Sequence, residues 1–260
     1  MNIADMTKKR IDSTIVHFSV DDVFDSLITS SDNCNPLFSH TSLEVLKEIV
    51  LNYGAEIDLY VFYRSVVGGR ARSLIEVSSF IQDCHALGGA IRFAPHALDY
   101  YHYPFEQTPE QQIESFEKIY TQIDRFAGSK MRSSEIRLHY YSESYELADY
   151  FKEKRVRTLF TTDREIGSHR MPSSVSKELL KNGVSTYFGQ RFERTQYRLE
   201  FMVESGISEA EVKNLCKKSI EQFGRVVVYT HECELARPLI RKMLVTIYSA
   251  CDEIINKGVK

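Results

Sequence analysis

Short apolar runs rich in β-branched residues alternate with amphipathic stretches along most of this chain, and this alternation restricts the possible folds more than any other feature of the sequence. The apolar runs predict buried strands at residues 14–20, 57–62, 90–94, 135–138, 158–162 and 226–229. Apolar residues at helical spacing lie between them, for example over residues 43–50 and 113–123. Strands that alternate with helices are typical of parallel βαβ units. We therefore expect an α/β protein, built either as an open doubly wound sheet or as a barrel.

Local signals refine this prediction at three places. Thr108 with Gln111, and Ser208 with Glu211, have the spacing of capping boxes and predict the first turns of two helices. Residues 184–204 interrupt the alternation and predict a small inserted hairpin or irregular strands. No linker rich in proline or serine divides the chain, so we expect a single domain over residues 1–260.

Charge and motif content exclude several classes of protein. The 36 acidic residues slightly outnumber the 33 lysines and arginines, which gives a net charge of −3 and no basic field suited to nucleic acid. Neither GxGxxG nor GxxxxGK[ST] occurs, so the nucleotide-binding folds lose their main support. A haloacid dehalogenase-type phosphatase needs Asp-x-Asp, whereas Asp21 is followed by Asp22 and Val23. A glycosidase would leave the histidines that follow the strands unexplained.

Cysteine usage and hydropathy suggest a compartment. The five cysteines are scattered, form no CxxC pair and are odd in number. This pattern is typical of free thiols in a reducing environment. We find no apolar run of about 18 residues, and the first ten residues lack the apolar centre of a signal peptide. From these features we expect a cytoplasmic protein without a transmembrane segment.

Charged and ligating residues follow several of the predicted strands. Asp21 and Asp22 end the first strand, His96 follows the third, Arg137 ends the fourth, and His231 follows the last. In parallel α/β folds the active site lies at the carboxyl ends of the strands, so these side chains should meet at one rim. The occurrence of these side chains at the ends of several strands is the main sequence evidence for an enzyme.

A metal site is one interpretation of this rim. Two adjacent carboxylates after a buried strand raise each other's pKa unless a cation neutralises them. Two imidazoles and one carboxylate form a ligand set that leaves positions open for water and substrate. His96 and His102, with Asp99 between them, lie in a segment that Pro95 and Pro104 would hold as a loop. The alternative interpretation of the same segment is an aromatic surface loop.

In motif order, the chain resembles the polysaccharide deacetylase family with NodB homology, and more narrowly the WbmS-type deacetylases of bacterial O-antigen gene clusters. The segment 17–23 resembles the family motif T-F-D-D-G, with Val23 in place of glycine. The segment 96–102 resembles H-[ST]-x-x-H, with two additional residues. Arg137 matches the first position of R-x-P, and residues 226–231 resemble the apolar strand that ends in histidine.

The resemblance implies a distorted (β/α) barrel of about seven parallel strands, NodB-like, with a small inserted hairpin. It also implies site roles: Asp21 as catalytic base, Arg137 as the residue that orients it, and His231 as general acid. Asp22, His96 and His102 become the metal ligands, with Asp99 or His139 as alternatives for the third. The implied cofactor is a divalent metal, Zn²⁺ in preference to Co²⁺, Mn²⁺ or Fe²⁺.

The predicted function is metal-dependent removal of an acetyl group from an acetylated sugar during cell-surface polysaccharide (O-antigen, lipopolysaccharide) biosynthesis. The expected substrate is a nucleotide sugar or a lipid-linked saccharide. Because three motifs are altered, the alternative is a catalytically inactive, deacetylase-like protein that binds carbohydrate or acts in assembly. The sugar, the acetyl position, amide against ester chemistry and the oligomeric state are open at this point.

Overall fold

Two sheets built mainly of parallel strands form the centre of the fold, which the computed structural model describes over residues 15–142, 145–164 and 171–257. The strands are β1 (Val16–Val23), β2 (Ile57–Phe62), β3 (Arg64–Val67), β4 (Arg70–Ser73), β5 (Ile91–Ala97), β6 (Glu135–Ile136), β7 (Thr158–Thr161), β8 (Val184–Tyr187), β9 (Gln190–Arg194), β10 (Tyr197–Arg198) and β11 (Val226–His231). One sheet has the order β10-β11-β1-β2-β5, and all its strands are parallel. The other has the order β6-β7-β9-β8, in which β8 alone is antiparallel to its neighbour. The predicted α/β fold with parallel strands is confirmed.

Helices connect most of the parallel strands. They are α1 (Asp25–Asp32), α2 (Glu44–Tyr53), α3 (Ile81–Ala86), α4 (Pro109–Phe126), α5 (Ala148–Glu153), α6 (Ser173–Asn182), α7 (Leu199–Glu204), α8 (Glu209–Phe223) and α9 (Pro238–Lys257). Both predicted capping boxes form, because the side chains of Thr108 and Ser208 accept from the backbone N–H groups of Gln111 and Glu211. None of the helices in the described ranges has the length and apolar composition needed to cross a membrane.

The two sheets meet at two places without merging into one continuous ladder. Ser133 N–H donates to the carbonyl of Phe93 in β5 at 2.8 Å, just before β6. At the other edge, Thr195 N–H donates to the carbonyl of Thr161 in β7, and the next residue, Gln196, donates to Val227 in β11. Among the described residues the ladders of the two large sheets remain separate, so the closed seven-stranded barrel is not confirmed.

Two hairpins extend from this framework. The predicted irregular segment contains the antiparallel pair β8 and β9, but β9 also pairs in parallel with β7. Part of the segment is therefore a strand of the second sheet, and Leu199–Glu204 is helix α7 rather than strand. A second hairpin, β3 and β4, follows β2. Gly68 and Gly69 make its turn at φ +57° and +77°, a backbone region that favours glycine.

Strand β1 lies between β2 and β11 and is buried along almost its whole length. Phe18 and Val20 belong to the apolar core, whereas His17, Ser19 and Asp21 contact polar groups of other strands. This alternation follows from the two-residue period of a strand. The fold therefore has a polar interior along one face of β1, which leads to the carboxyl ends of the strands.

Candidate active site

A cleft of about 480 Å³ opens at the carboxyl ends of the strands, where sequence reasoning placed the functional rim. It brings together five of the six predicted site residues, from strands or loops that are far apart in the chain. Its lining residues are Asp21, Asp22, His96, Tyr100, Arg137, Leu138, His139, Tyr140, Tyr141, Arg164, Arg198, Tyr229, His231 and Cys233.

A backbone irregularity lets both aspartates of β1 line the same cleft. Adjacent residues of a regular strand point to opposite faces. Here the pairing of β1 with β2 shifts register between Val20 and Val23, and Asp22 has φ +60°. The next segment is fixed by Glu232, whose buried carboxylate accepts from three successive backbone N–H groups starting at Phe24. Asp22 is thereby turned back toward the side on which Asp21 lies.

Asp22, His96 and His139 form the group in this cleft that can hold a metal ion. His96 Nε2 lies 3.2 Å from Asp22 Oδ1, and His139 Nδ1 lies 3.5 Å from the same oxygen. The two imidazole nitrogens are 3.2 Å apart. Two donors that are each about 2.0–2.1 Å from one tetrahedral Zn²⁺ are separated by roughly 3.3 Å. The spacing of the three atoms therefore fits a single ion.

Hydrogen bonds on the far side of each ring set the protonation of the two histidines. His96 Nδ1 lies 2.8 Å from the carbonyl oxygen of Arg137, and His139 Nε2 lies 3.2 Å from that of Tyr100. A carbonyl can only accept, so these nitrogens carry the protons and the opposite nitrogens present lone pairs to Asp22. Burial lowers the pKa of His139, which keeps its ring neutral.

The charge of Asp22 completes the argument for a cation. Burial would raise the pKa of the Asp22 carboxyl, and neighbouring positive charge is what holds that pKa below its usual range. Its Oδ1 is buried and has no hydrogen-bond partner among the described residues. Three acceptor atoms thus converge with no hydrogen between them, an arrangement that a bound cation stabilises.

His102 does not join this group, which corrects the expectation from the sequence. Its side chain is 52% exposed, and its Nδ1 lies 2.7 Å from Asp99 Oδ1. The same oxygen accepts from the backbone N–H groups of Tyr101 and His102, while Arg64 Nε donates to Oδ2. The loop after β5 is therefore folded around Asp99, which holds His102 outward. The third member of the group is His139, one of the two alternatives.

Asp21 and Arg137 lie beside the metal group and are almost fully buried. Arg137 Nε is 3.9 Å from Asp21 Oδ2, its Nη2 donates to Ser19 Oγ, and its guanidinium stacks 3.9 Å from the ring centre of Tyr229. Burial would lower the pKa of Arg137, but the charge of Asp21 and nearby phenols raises it overall, so the guanidinium stays charged. Asp21 Oδ1 has no hydrogen-bond partner in the described part of the chain.

His231 is paired with Asp21 across the parallel strands β1 and β11. Its Nδ1 lies 2.8 Å from Glu200 Oε1, which also accepts from the backbone N–H of His231 and from Thr230 Oγ1. Burial alone would lower the pKa of His231, but Glu200, Asp21 and Asp22 together raise it above its usual value. Sequence reasoning missed Glu200, because it lies in the segment expected to be a hairpin.

A second group that could hold a metal, His17, Asp58 and Glu135, lies toward the amino ends of the strands. The charges in this group are compensated by contacts within the group and with a neighbouring arginine. His17 Nδ1 is 3.2 Å from Glu135 Oε2, and the guanidinium of Arg225 is 3.4 Å from the other oxygen of Glu135. Burial raises the pKa of Asp58 well above its usual range, which favours the neutral acid. His17 is a buried core histidine, as the sequence indicated.

The fold is shared with part of a larger enzyme. The 4-alpha-glucanotransferase of Thermococcus litoralis superposes with a TM-score of 0.51 at 12% identity, over 90% of this chain and 37% of that one. The chain thus spans little more than a third of that protein's length. No protein-family model and no curated protein matches the sequence.

Polysaccharide deacetylases, the family that the sequence motifs resemble, are among the structural neighbours of the chain. One is WbmS of Bordetella bronchiseptica, described as a polysaccharide deacetylase involved in O-antigen biosynthesis, with a TM-score of 0.48, 9% identity, and coverage of 90% of this chain and 89% of that one. Another is a CE4 family pseudoenzyme from Bacillus anthracis, with a TM-score of 0.40, 9% identity, and coverage of 94% and 62%.

Proposed function

We propose that this chain is a metal-dependent carbohydrate deacetylase, a hydrolase that removes an acetyl group from an acetylated sugar. One observation carries the proposal: the convergence of Asp22 Oδ1, His96 Nε2 and His139 Nδ1 as three acceptor atoms beside Asp21 and His231. A metal site flanked by a carboxylate on one side and a protonated imidazole on the other suits hydrolysis of an amide or ester.

The proposed ligands are Asp22, His96 and His139, which supply two nitrogens and one oxygen, and the proposed ion is Zn²⁺ in preference to Co²⁺, Mn²⁺ or Fe²⁺. When bound, the ion polarises the acetyl carbonyl and lowers the pKa of a water molecule. The carbonyl oxygens of Arg137 and Tyr100 keep both imidazoles in the tautomer that ligation needs.

Asp21 is the proposed general base. Its Oδ1 lacks a partner among the described residues, and its Oδ2 faces the guanidinium of Arg137. The guanidinium of Arg137 holds the carboxylate in place, and its other oxygen would accept the proton of the attacking water. Arg137 is therefore proposed as a positioning residue that acts through Asp21.

His231 is the proposed general acid. A sugar amine or alkoxide is a poor leaving group unless it is protonated as the bond breaks. Glu200 binds Nδ1 of His231 and leaves Nε2 as the ring nitrogen available for proton donation. The raised pKa of His231 keeps the imidazolium populated near neutral pH.

The proposal also covers the closure of the barrel, the extent of the domain, the substrate and the location of the protein. We infer that the two sheets act as one distorted barrel of about seven strands, supported by the hydrogen bonds that link β5 to the start of β6 and β7 to β11 through residues 195 and 196. Residues 1–260 would form a single deacetylase-like domain. Its substrate would be a nucleotide sugar or lipid-linked saccharide in O-antigen biosynthesis. A cytoplasmic location is consistent with five cysteines that are all unpaired.

Acetate release tests this function directly. Protein loaded with Zn²⁺ should release acetate from N-acetylated and O-acetylated sugars, and removal of the metal with a chelator should abolish release until Zn²⁺ is restored. Release would be measured by an enzyme-coupled acetate assay, and metal content by mass spectrometry. The variant His231→Ala should retain metal and sugar binding yet lose roughly 10²–10⁴-fold in turnover, the usual contribution of a general acid.

The same experiment separates catalysis from carbohydrate binding. 4-Nitrophenyl acetate has a leaving group that needs no proton, so His231→Ala should slow its hydrolysis far less than that of an N-acetyl sugar. An equal loss with both substrates would contradict the role of His231. Sugar binding without acetate release in the metal-loaded wild type would support the inactive binding protein instead.

Glu200 should control the pH dependence of the reaction. The acid form of His231 is required, so activity should fall as pH rises through the raised pKa of His231. Glu200→Gln removes the negative charge that helps to raise that pKa, and the alkaline limb of the kcat profile should move to lower pH. Profiles for wild type, Glu200→Gln and Glu204→Gln, an exposed control at the end of the same helix, would check this. An unmoved alkaline limb in Glu200→Gln would show that Glu200 does not tune His231.

A further inference from the structure

Arg198 enters the cleft without a carboxylate partner. Its Nε donates to the Tyr229 hydroxyl at 2.5 Å, and its Nη2 lies 3.5 Å from the Tyr141 hydroxyl. The guanidinium also stacks 4.5 Å from the ring centre of Phe201. Across residues 15–142, 145–164 and 171–257 its polar contacts are two phenols, and no acidic side chain forms an ion pair with it.

Two arginines elsewhere in the fold differ in this respect. Arg64, at the rim of the neighbouring groove, pairs with Asp99 at 2.7 Å, and Arg225 pairs with Glu193 at 2.5 Å. The half-buried charge of Arg198 is costly to desolvate, and phenol oxygens compensate it less than a carboxylate would. An anion delivered by a ligand would supply the missing compensation.

A second observation on the same wall also points to an anion. Arg137 lines the cleft and is 1% exposed, and its Nε and Nη1 have no hydrogen-bond partner among the described residues. Both guanidiniums stack on Tyr229, at 3.9 and 5.1 Å from its ring centre. Two guanidiniums therefore share this wall. The acidic groups beside them in the described residues are Asp21, 3.9 Å from Arg137 Nε, and Asp163, which accepts from the Tyr141 hydroxyl and forms no ion pair with Arg198.

We infer that the Arg198 guanidinium forms a subsite for an anionic group of the substrate, a carboxylate or a phosphate attached to the sugar. A guanidinium presents several N–H donors in a planar fork that matches the oxygens of either group. The inference rests on the proposed function in taking the ligand to be a sugar. It adds that the preferred sugar carries a negative charge. A neutral acetylated saccharide should therefore bind less tightly.

Binding measurements test the subsite without requiring turnover. Calorimetric or competition titrations would compare N-acetylglucosamine, N-acetylglucosamine 1-phosphate, N-acetylglucosaminuronic acid and inorganic phosphate. Wild type should bind at least one charged sugar about 10–100-fold more tightly than the neutral sugar, as expected for charge-assisted hydrogen bonds. Arg198→Gln should reduce that preference to about twofold or less, with neutral-sugar affinity unchanged.

Control variants distinguish the loss of the Arg198 contact from a change in net charge and from misfolding. Lys218→Gln removes one positive charge from an exposed position on α8 and should leave the preference intact. Arg198→Lys keeps the positive charge but lacks the planar set of N–H donors, so it should retain part of the preference for the charged sugar. A circular dichroism melt of each variant would confirm that it is folded.

The outcomes of these titrations distinguish failure of the anion subsite from failure of the proposed deacetylase function. Preference for the phosphate or for the uronic acid identifies which anion is bound. Absence of any preference in wild type, absence of binding to all four probes, or a preference that survives in Arg198→Gln would overturn the inference. Anion preference without acetate release would retain the subsite and contradict the deacetylase function.

Discussion

Replacing His139 by alanine should deprive the protein of its metal and of its activity. The His139 ring supplies one of three converging ligand atoms, 3.2 Å from His96 Nε2 and 3.5 Å from Asp22 Oδ1. Loss of an outer partner of a metal ligand typically costs about 10–100-fold in metal affinity, and loss of a ligand itself should cost more. Zn²⁺ affinity by competition with a chromophoric chelator, and metal content after dialysis, would measure the effect.

His102→Ala is the matched control, because sequence reasoning and the structure disagree on these two histidines. Its ring is half-exposed and hydrogen-bonded to Asp99, outside the metal group. The variant should keep one Zn²⁺ per chain and most of its acetate release. A protein that loses its metal with His102→Ala and keeps it with His139→Ala would restore the original assignment and reject the geometry described above.

Asp21→Asn should produce the second large effect, a fall in acetate release of roughly 10²–10⁴-fold, the usual contribution of general base catalysis. Asparagine preserves the shape of the side chain but cannot accept the proton of the attacking water. Asp21 is not among the three ligands, so metal content should remain near one ion per chain. Both quantities can be measured on the same preparation, by acetate release and by metal analysis.

Asp25→Asn serves as its control, since Asp25 is an exposed carboxylate four residues further along, at the start of α1. It should leave acetate release nearly unchanged. If Asp21→Asn instead loses the metal, the roles of Asp21 and Asp22 are exchanged. If Asp21→Asn retains full activity, the base lies elsewhere in the cleft.

Much of the site could be predicted because parallel strands place their carboxyl ends together. Asp21, His96 and His231 end or nearly end buried strands with clear apolar patterns, and the structure brings all three to one cleft. Arg137 follows a strand of two residues, which is short but paired with the well-marked β7. Their catalytic roles stay predictions, since geometry shows proximity and not chemistry.

The parts that sequence reasoning missed, or kept only as an alternative, depend on loops and on a helix with little local signal. His139 lies in a 3₁₀ turn followed by two tyrosines at φ +52°, a conformation that no apolar period reveals. His102 was favoured because its spacing from His96 resembled a family motif, but hydrogen bonds to Asp99 decide where it points. Glu200 reaches His231 because residues 199–204 form helix α7, whereas their pattern suggested strand.

At Asp22 the left-handed backbone conformation lowers the stability of the fold, whereas the carboxylate of the same residue belongs to the group that can hold a metal ion. For an L-residue that conformation costs about 1–2 kcal/mol, against a net folding stability of about 5–15 kcal/mol for an ordinary domain. Glycine would relieve the strain and would also delete the carboxylate. In a lineage where this carboxylate no longer mattered, selection for a more stable fold would favour losing it early. The identity of residue 22 in a descendant would thus record whether its ancestors still needed the carboxylate.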